Sequence, residues 1–247
     1  MPPPTLEERR VFYRSFDARN AFSWARTISA TPVFAINPGW YTRIATDRML
    51  SLVRQGYRMV YLRNVRNPKA LRAKLLKYLP EGVYYWRNVV SDPEYCYGCP
   101  LKFFRRRNLC ERCPNYLGQE LMFDVDPERV TGKRRDEVGP EEFPAVKDAV
   151  IRLYDALAEE FSRLRIVFSG RGFHIHVRDE DTFLYTIEER VELARRYASY
   201  GVDVPVTAGG VSLARLPYTL NGISGLVVLP VSRKKLEEFD PYHSSSS

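Results

Sequence analysis

No apolar run in the 247 residues reaches the roughly 18 needed to cross a bilayer, and no signal peptide opens the chain. A cytoplasmic protein with no membrane partner is the expectation. Cysteine is scarce: four residues, all between Cys96 and Cys113, which excludes the scattered pairs of a secreted disulfide scaffold. Seventeen prolines are too few for a low-complexity chain. Lysine is scarce as well, with eight among 38 basic residues, so 30 are arginine. The balance against 30 acids is +8. Arginine presents a planar fork that grips phosphate bidentately. An Arg-rich, aromatic-rich, basic chain fits a nucleic-acid or nucleotide partner, although a thermophile's surface or codon bias gives the same composition.

Along the chain, Leu6 to Trp24 has mixed helical character, and TPVFAIN (Thr31 to Asn37) reads as a short strand closed by a Pro-Gly turn. Asp47 to Gln55 reads as a helix and Arg58 to Val65 as a strand. Asn67 and Pro68 mark a helix start, and Val83 to Val90 reads as a further strand. Glu120 to Asp126 (ELMFDVD) is an alternating strand, followed by a polar loop from Thr131 to Pro140. Val146, Ala149, Val150, Leu153, Leu157, Phe161 and Leu164 predict one apolar helical stripe within Glu141 to Arg165. Ile166 to Ser169 and Phe173 to Arg178 read as strands around a glycine turn, Thr186 to Tyr200 as a helix, and Gly225 to Val231 as a last strand. The order predicts an α/β, mixed α+β fold. A single domain over residues 1–247 is expected, with residues 95–118 as an insertion lacking helix or strand period.

That insertion holds Cys96-Tyr-Gly-Cys99 and Cys110-Glu-Arg-Cys113, two CxxC knuckles ten residues apart. Each supplies two soft ligands from one tight turn, so four thiolates would close a structural Zn²⁺ site with no position left for catalytic water. A redox dithiol and an iron–sulfur cluster are the alternatives. The basic, aromatic stretch Lys102 to Arg107 between the knuckles suits a nucleic-acid backbone or is simply a solvated charge run.

In ELMFDVD, alternation sends Leu121, Phe123 and Val125 to the core and puts Met122, Asp124 and Asp126 on the other face. Two neighbouring carboxylates repel unless a cation lies between them. Divalent metal ions held by carboxylates and substrate phosphates do this, and two such ions serve phosphoryl transfer. A solvated strand end carrying acids is the plainer reading. In VFSGRGFHIH the glycines expose backbone N–H groups to an anion, and Ser169, Arg171 and His174 suit a triphosphate. His176 is assigned to packing. Asp203 is a candidate third metal ligand or a loop cap, and Arg215 a candidate phosphate contact.

Together these segments resemble the small catalytic subunit of archaeal and eukaryotic DNA primase. ELMFDVD resembles that family's hhhDhD motif, VFSGRGFH its S-G-x-R-G-x-H motif, and LARLPYTLNGISGL its L-L-[RK]-x-P-x-S-x-H-x-K-T-G stretch. The ending Leu236-Glu-Glu-Phe-Asp-Pro-Tyr242 is like its FDPF terminus. The resemblance runs from about Val83 to Tyr242. Four departures stand out: the knuckles precede the aspartate strand, the glycine turn is one residue shorter, Asn221 replaces a histidine, and Ile223 replaces a lysine.

The resemblance implies a primase-polymerase catalytic core with a small zinc-binding insertion. It implies a nucleotidyltransferase that makes short primers on single-stranded DNA from nucleoside triphosphates, with Asp124, Asp126 and Asp203 binding two Mg²⁺ or Mn²⁺ ions. Ser169, Arg171, His174 and Arg215 would bind the nucleotide, and Cys96, Cys99, Cys110 and Cys113 the zinc. A primase large subunit is the implied partner and the nucleoid the working place. One alternative is a repair or mobile-element primase-polymerase that extends existing ends. Another, of a different class, is a non-catalytic zinc module that binds nucleic acid, which leaves the three separated acids unexplained.

Overall fold

The structure, a computed structural model, describes residues 2–97, 99 and 113–242. It is a mixed α/β fold whose described residues form two compact units. One comprises Met1–Arg87 with Leu213–Leu229, the other Asn88–Ser212 with Pro230–Ser247. Among the described residues no helix is long and apolar enough to cross a membrane.

The first unit is built on an antiparallel sheet in the order Val60–Leu62, Phe34–Asn37, Gly82–Trp86, Leu213–Arg215. Phe34–Asn37 is a central strand, apolar at Phe34, Ala35 and Ile36, and it is buried throughout. The mixed helical start resolves into Leu6–Ser15 and Ala18–Arg26. Asp17 separates them because its carboxylate accepts from the Arg19 amide and begins a new helix. The helix Pro68–Tyr78 starts as its sequence predicts, with the Asn67 side chain accepting from Ala70 N at 2.8 Å. The strand expected over Arg58 to Val65 is confined to Val60–Leu62, where Phe34 to Ile36 supplies its partners.

The strand expected over Val83 to Val90 is two strands. Gly82–Trp86 pairs within the first sheet, whereas Asn88–Val90 pairs with Tyr116–Gln119 in a separate ribbon. The break falls at the fully buried Arg87.

The second unit holds a sheet in the order Leu229–Val231, Leu164–Phe168, Phe173–Val177, Leu121–Val125, in which Phe173–Val177 runs antiparallel to both its neighbours. The apolar stripe of Phe143–Ala158 is buried at Val146, Ala149, Val150, Leu153 and Leu157. Phe161 and Leu164 do not continue it. The amides of Ser162 and Arg163 donate to the Asp179 carboxylate, and Leu164 opens a strand. Periodicity alone cannot see a carboxylate from another segment taking over the helix's next donors. The helix expected from Thr186 begins there with a reciprocal Thr186–Glu189 cap but ends at Arg196. Two short helices were not expected: Pro93–Tyr97, which runs into the cysteine segment, and Pro127–Thr131, between the acidic strand and the polar loop. The last strand is shorter than expected, Leu229–Val231.

The FDP segment has a packing role in this unit. Phe239 lies 5.3 Å from Phe168 and 6.2 Å from both Phe143 and Phe173, ring centre to ring centre. Lys147 Nζ donates to the Glu237 and Phe239 carbonyls and fastens the segment to the long helix.

In the first unit, Arg9 is fully buried and donates to the carbonyls of Ile44 (2.9 Å), Leu79 (3.3 Å) and Gly222 (3.2 Å). Burial lowers its pKa, against the favourable charge of Glu81. One guanidinium thus satisfies carbonyls at three loop ends that water does not reach. Arg9→Ala orphans them and removes the positive charge that faces the Glu81 carboxylate. It is expected to cost about 3 kcal/mol in urea unfolding, and an unchanged midpoint would show that the first unit does not depend on this side chain.

Candidate active site

The acidic strand Leu121–Val125 pairs along one edge with Phe173–Val177, Asp124 opposite His174 and Met122 opposite His176. Its end also meets a second segment, because Asp203 N donates to the Asp124 carbonyl at 2.8 Å and Val125 bridges Val202. Asp124 is therefore flanked by His174 and by Asp203, residues 50 and 79 positions away. The alternation is as expected on the core side, where Leu121, Phe123 and Val125 are fully buried. Met122 is buried too, so the opposite face opens only toward the aspartates.

The carboxylates are partly enclosed, with side chains 14% exposed at Asp124 and 17% at Asp203. His174 Nε2 lies 3.3 Å from Asp124 Oδ1, and Arg129 Nη2 lies 3.4 Å from Asp203 Oδ2. Asp203 Oδ1 also accepts from Val206 N at 3.1 Å, so the loop-cap role and the site position coexist. Asp126 closes the strand, and its carbonyl accepts from Arg129 and Val130 to start the Pro127–Thr131 turn.

Between the sheet strands, Ser169 N donates to the Gly172 carbonyl at 2.9 Å, and Gly172 N donates back to Ser169 Oγ at 3.2 Å. Gly170 takes φ +93°, a conformation that favours glycine. A Cβ on Gly172 would stand 2.3 Å from the Val125 carbonyl, so the turn lies directly on the acidic strand. Arg171 Nη2 forms a 2.8 Å ion pair with Glu128 Oε1. Burial pushes the Tyr242 hydroxyl up in pKa, with the Arg171 charge opposing it.

Asp124, Asp126, Ser169, Arg171, His174 and Asp203 thus belong to one unit. Asp124, His174 and Asp203 are joined directly, and the Ser169–Gly172 turn rests on the same strand. Arg215 lies in the other unit, on Leu213–Arg215, with its guanidinium 5.1 Å from the Tyr84 ring centre. Asn221, also there, is buried and builds a turn, its Oδ1 accepting from Ile223 N at 3.0 Å. An amide side chain at that position holds backbone rather than presenting a cation.

Four contributors escaped the sequence reading: Glu128 and Arg129, which pair with Arg171 and Asp203, Thr207, whose hydroxyl accepts from Asp124 N at 3.4 Å, and Glu120. Glu120 Oε1 lies 3.0 Å from His176 Nδ1 and 3.1 Å from Arg178 Nε, all inside the protein. His176 is accordingly a partnered core residue, as expected. The spacing of Glu128 and Arg129 just beyond Asp126 was the available signal, but charges in a short turn look the same when they are merely solvated.

Cys110 and the Lys102–Arg107 stretch lie outside the described residues. Cys96 is buried and accepts from Asn115 Nδ2 at 3.0 Å, which brings the first knuckle to the segment just after Cys113. Among the described residues, no three His, Cys, Asp or Glu side chains converge as a metal centre. The donor sets still suit their ions: all-carboxylate oxygen for hard Mg²⁺ or Mn²⁺, and cysteine sulfur for Zn²⁺.

Residues 123–201 match the family model described as DNA primase small subunit. An uncharacterized DNA primase small subunit-like protein of Archaeoglobus fulgidus is 40% identical over 99% of this chain and 90% of its own. The DNA primase small subunit PriS of Pyrobaculum calidifontis is 27% identical over 73% of this chain and 69% of its own. Among solved structures, the polymerase domain of Mycobacterium tuberculosis ligase D in complex with DNA superposes with a TM-score of 0.53 at 13% identity. That superposition covers 95% of this chain and 83% of the ligase domain, and it identifies the fold as the primase-polymerase type.

Gly172→Ala forces the turn off the acidic strand. It is expected to cost about 1–3 kcal/mol in stability, as overpacking does, read by thermal melting. A variant that melts with the parent would show that the turn does not need this approach.

Proposed function

The chain belongs to the DNA primase small-subunit family of nucleotidyltransferases, and from that premise we propose that it synthesises short primers on a single-stranded DNA template from nucleoside triphosphates. The observation that carries this reading is the meeting of Asp124 with His174 and Asp203 at one strand end, 2.8 Å from backbone to backbone on the Asp203 side. Asp126 follows on the same strand end. Asp124, Asp126 and Asp203 would hold Mg²⁺ or Mn²⁺. When bound, such ions neutralise charge on the attacking and leaving oxygens of phosphoryl transfer.

The chain's own residues do the positioning. His174 orients the Asp124 carboxylate through the 3.3 Å contact. The Asp203 amide fixes the spacing of the two acid-bearing segments. Ser169 and the glycine turn present hydroxyl and backbone donors beside the strand, and Arg171, released from Glu128, supplies a phosphate-binding guanidinium. For Arg215, in the other unit, the family resemblance alone supports a phosphate contact. No side-chain nucleophile is needed, because catalysis of this kind rests on positioning and charge neutralisation.

A primase large subunit is the proposed protein partner, and replication in the cytoplasm, at the nucleoid, the proposed setting. Cys96, Cys99, Cys110 and Cys113 are proposed to hold one structural Zn²⁺. The Asn115 donor on Cys96 supports this, since an N–H aimed at sulfur favours the thiolate.

The test is synthesis on unprimed single-stranded DNA with Mn²⁺ and labelled nucleotides, resolved on a gel beside Asp124→Ala and Asp126→Ala. Short products from the parent alone are expected, with both variants folded and inactive. Extension restricted to an annealed primer would replace the priming assignment with end extension. Synthesis retained by either variant would refute the metal assignment. For the knuckles, metal analysis is expected to find one zinc per chain, and chelation is expected to lower the melting temperature. A zinc-free protein with an unchanged melting temperature would remove the structural role.

A further inference from the structure

Between Pro32 and Pro80, ten Lys and Arg residues face a single acid, Asp47, so this stretch of the first unit alone exceeds the +8 of the whole chain. Among the described residues, Arg43, Arg48, Arg58 and Lys77 lie against aromatic rings. Arg43 and Arg58 stand 5.3 and 4.8 Å from the Trp40 ring centre. Arg48 and Lys77 stand 5.9 and 5.7 Å from that of Tyr78. Tyr41 and Tyr57, beside these groups in sequence, are 55% and 51% exposed.

The loop carrying Trp40, Tyr41 and Arg43 is braced from inside. The Asn37 carboxamide oxygen accepts from the amides of Gly39 (3.0 Å) and Trp40 (2.8 Å). The buried Glu81 carboxylate accepts from the amides of Tyr41 (3.2 Å) and Thr42 (2.7 Å) and from the Thr42 hydroxyl. Gly39, at φ +106°, leaves no room for a Cβ, which would stand 2.7 Å from that of Ala45. Arg43 itself is held at φ +60°, a conformation L residues rarely adopt and one that persists only where the surroundings enforce it. A buried carboxylate and a strained arginine serve here to hold exposed aromatic and cationic groups in place.

We propose that this braced loop, with Tyr57 and Arg58 beside it, is a binding surface for single-stranded DNA, where the exposed Tyr41 and Tyr57 rings receive unpaired bases and the excess positive charge, with Arg43 and Arg58 gathered at Trp40, receives phosphates. Aromatic faces interleaved with arginine bind single strands without needing sequence, since every base has a π-face. Preorganisation lowers the ordering cost of binding. This rests on the template-directed reading above but places the template contact on residues outside the acidic site.

The experiment uses the full chain with a fluorescently labelled oligo(dT), in chelator and without nucleotides, followed by anisotropy across salt concentrations. Tyr41→Ala is expected to weaken binding about tenfold, within the range measured for base–aromatic stacking, and Tyr41→Phe to restore it. Arg43→Ala with Arg58→Ala is expected to reduce the salt slope by about 1.4, the value for two phosphate contacts on a single strand. Melting temperatures check that each variant is folded. A folded Tyr41→Ala and a folded double variant that both bind as the parent does would overturn the proposal and turn this face toward an acidic protein partner. Equal affinity for duplex of the same length would overturn the single-strand assignment. Binding that depends on these residues in a protein that makes no product would refute the priming reading and leave this one standing. Priming with unchanged variant affinities would do the reverse.

Discussion

The backbone pairing that ties Asp203 to the end of the acidic strand is the constraint on which the candidate site of the second unit depends. Asp124 and Asp126 share one strand end, and Asp203 is tied to the same strand by its own amide. Nothing in a hydrophobic core requires that arrangement. It persists because the backbone supplies it. One edge of the acidic strand is zipped to Phe173–Val177, and the end of the strand takes the Asp203 amide and the Val202 bridge. The apolar face beneath, Leu121, Phe123 and Val125, is fully buried and anchors the ladder. Burial on one face thus anchors the acids on the other, where His174 meets Asp124 and Arg129 meets Asp203.

The first unit solves a different problem with similar means. Its sheet is crossed by loops whose ends expose carbonyls and amides to the interior. Arg9 answers the carbonyls, and Glu81 answers the amides of Tyr41 and Thr42. Both side chains are almost fully buried, and their opposite charges support one another. Buried charges of this kind are costly to leave unpaired, and both here are paired with loop backbone. Arg9 and Glu81 thus serve the architecture of the unit, whereas Arg43 and Arg58 lie over the Trp40 ring at its surface.

Much of this was legible in the sequence where local chemistry decides the outcome. Asn67-Pro68 starts a helix because cap and ring both favour it, and the ELMFDVD alternation appears in the strand as written. The Ser169–Gly172 turn follows from its glycines. What escaped depends on partners distant in sequence. The helix stripe through Phe161 and Leu164 fails because Asp179 captures the next amides. The strand past Trp86 divides because its two halves find different sheets. Asn221, in place of a histidine, looked like a lost ligand but is a buried turn-builder. Glu120, Glu128, Arg129 and Thr207 have no signature of their own and gain meaning only from what faces them.

The central proposal is that Asp124, Asp126 and Asp203 hold divalent cations. Mn²⁺ binding by the full chain in the presence of a non-hydrolysable nucleotide, followed by electron paramagnetic resonance, tests it most directly beside Asp203→Asn, which keeps shape and removes charge. The account predicts that the parent binds Mn²⁺ and that the folded variant binds it more weakly. Equal binding by the two would mean that Asp203 is a loop cap only, and the site would have to be redrawn without it.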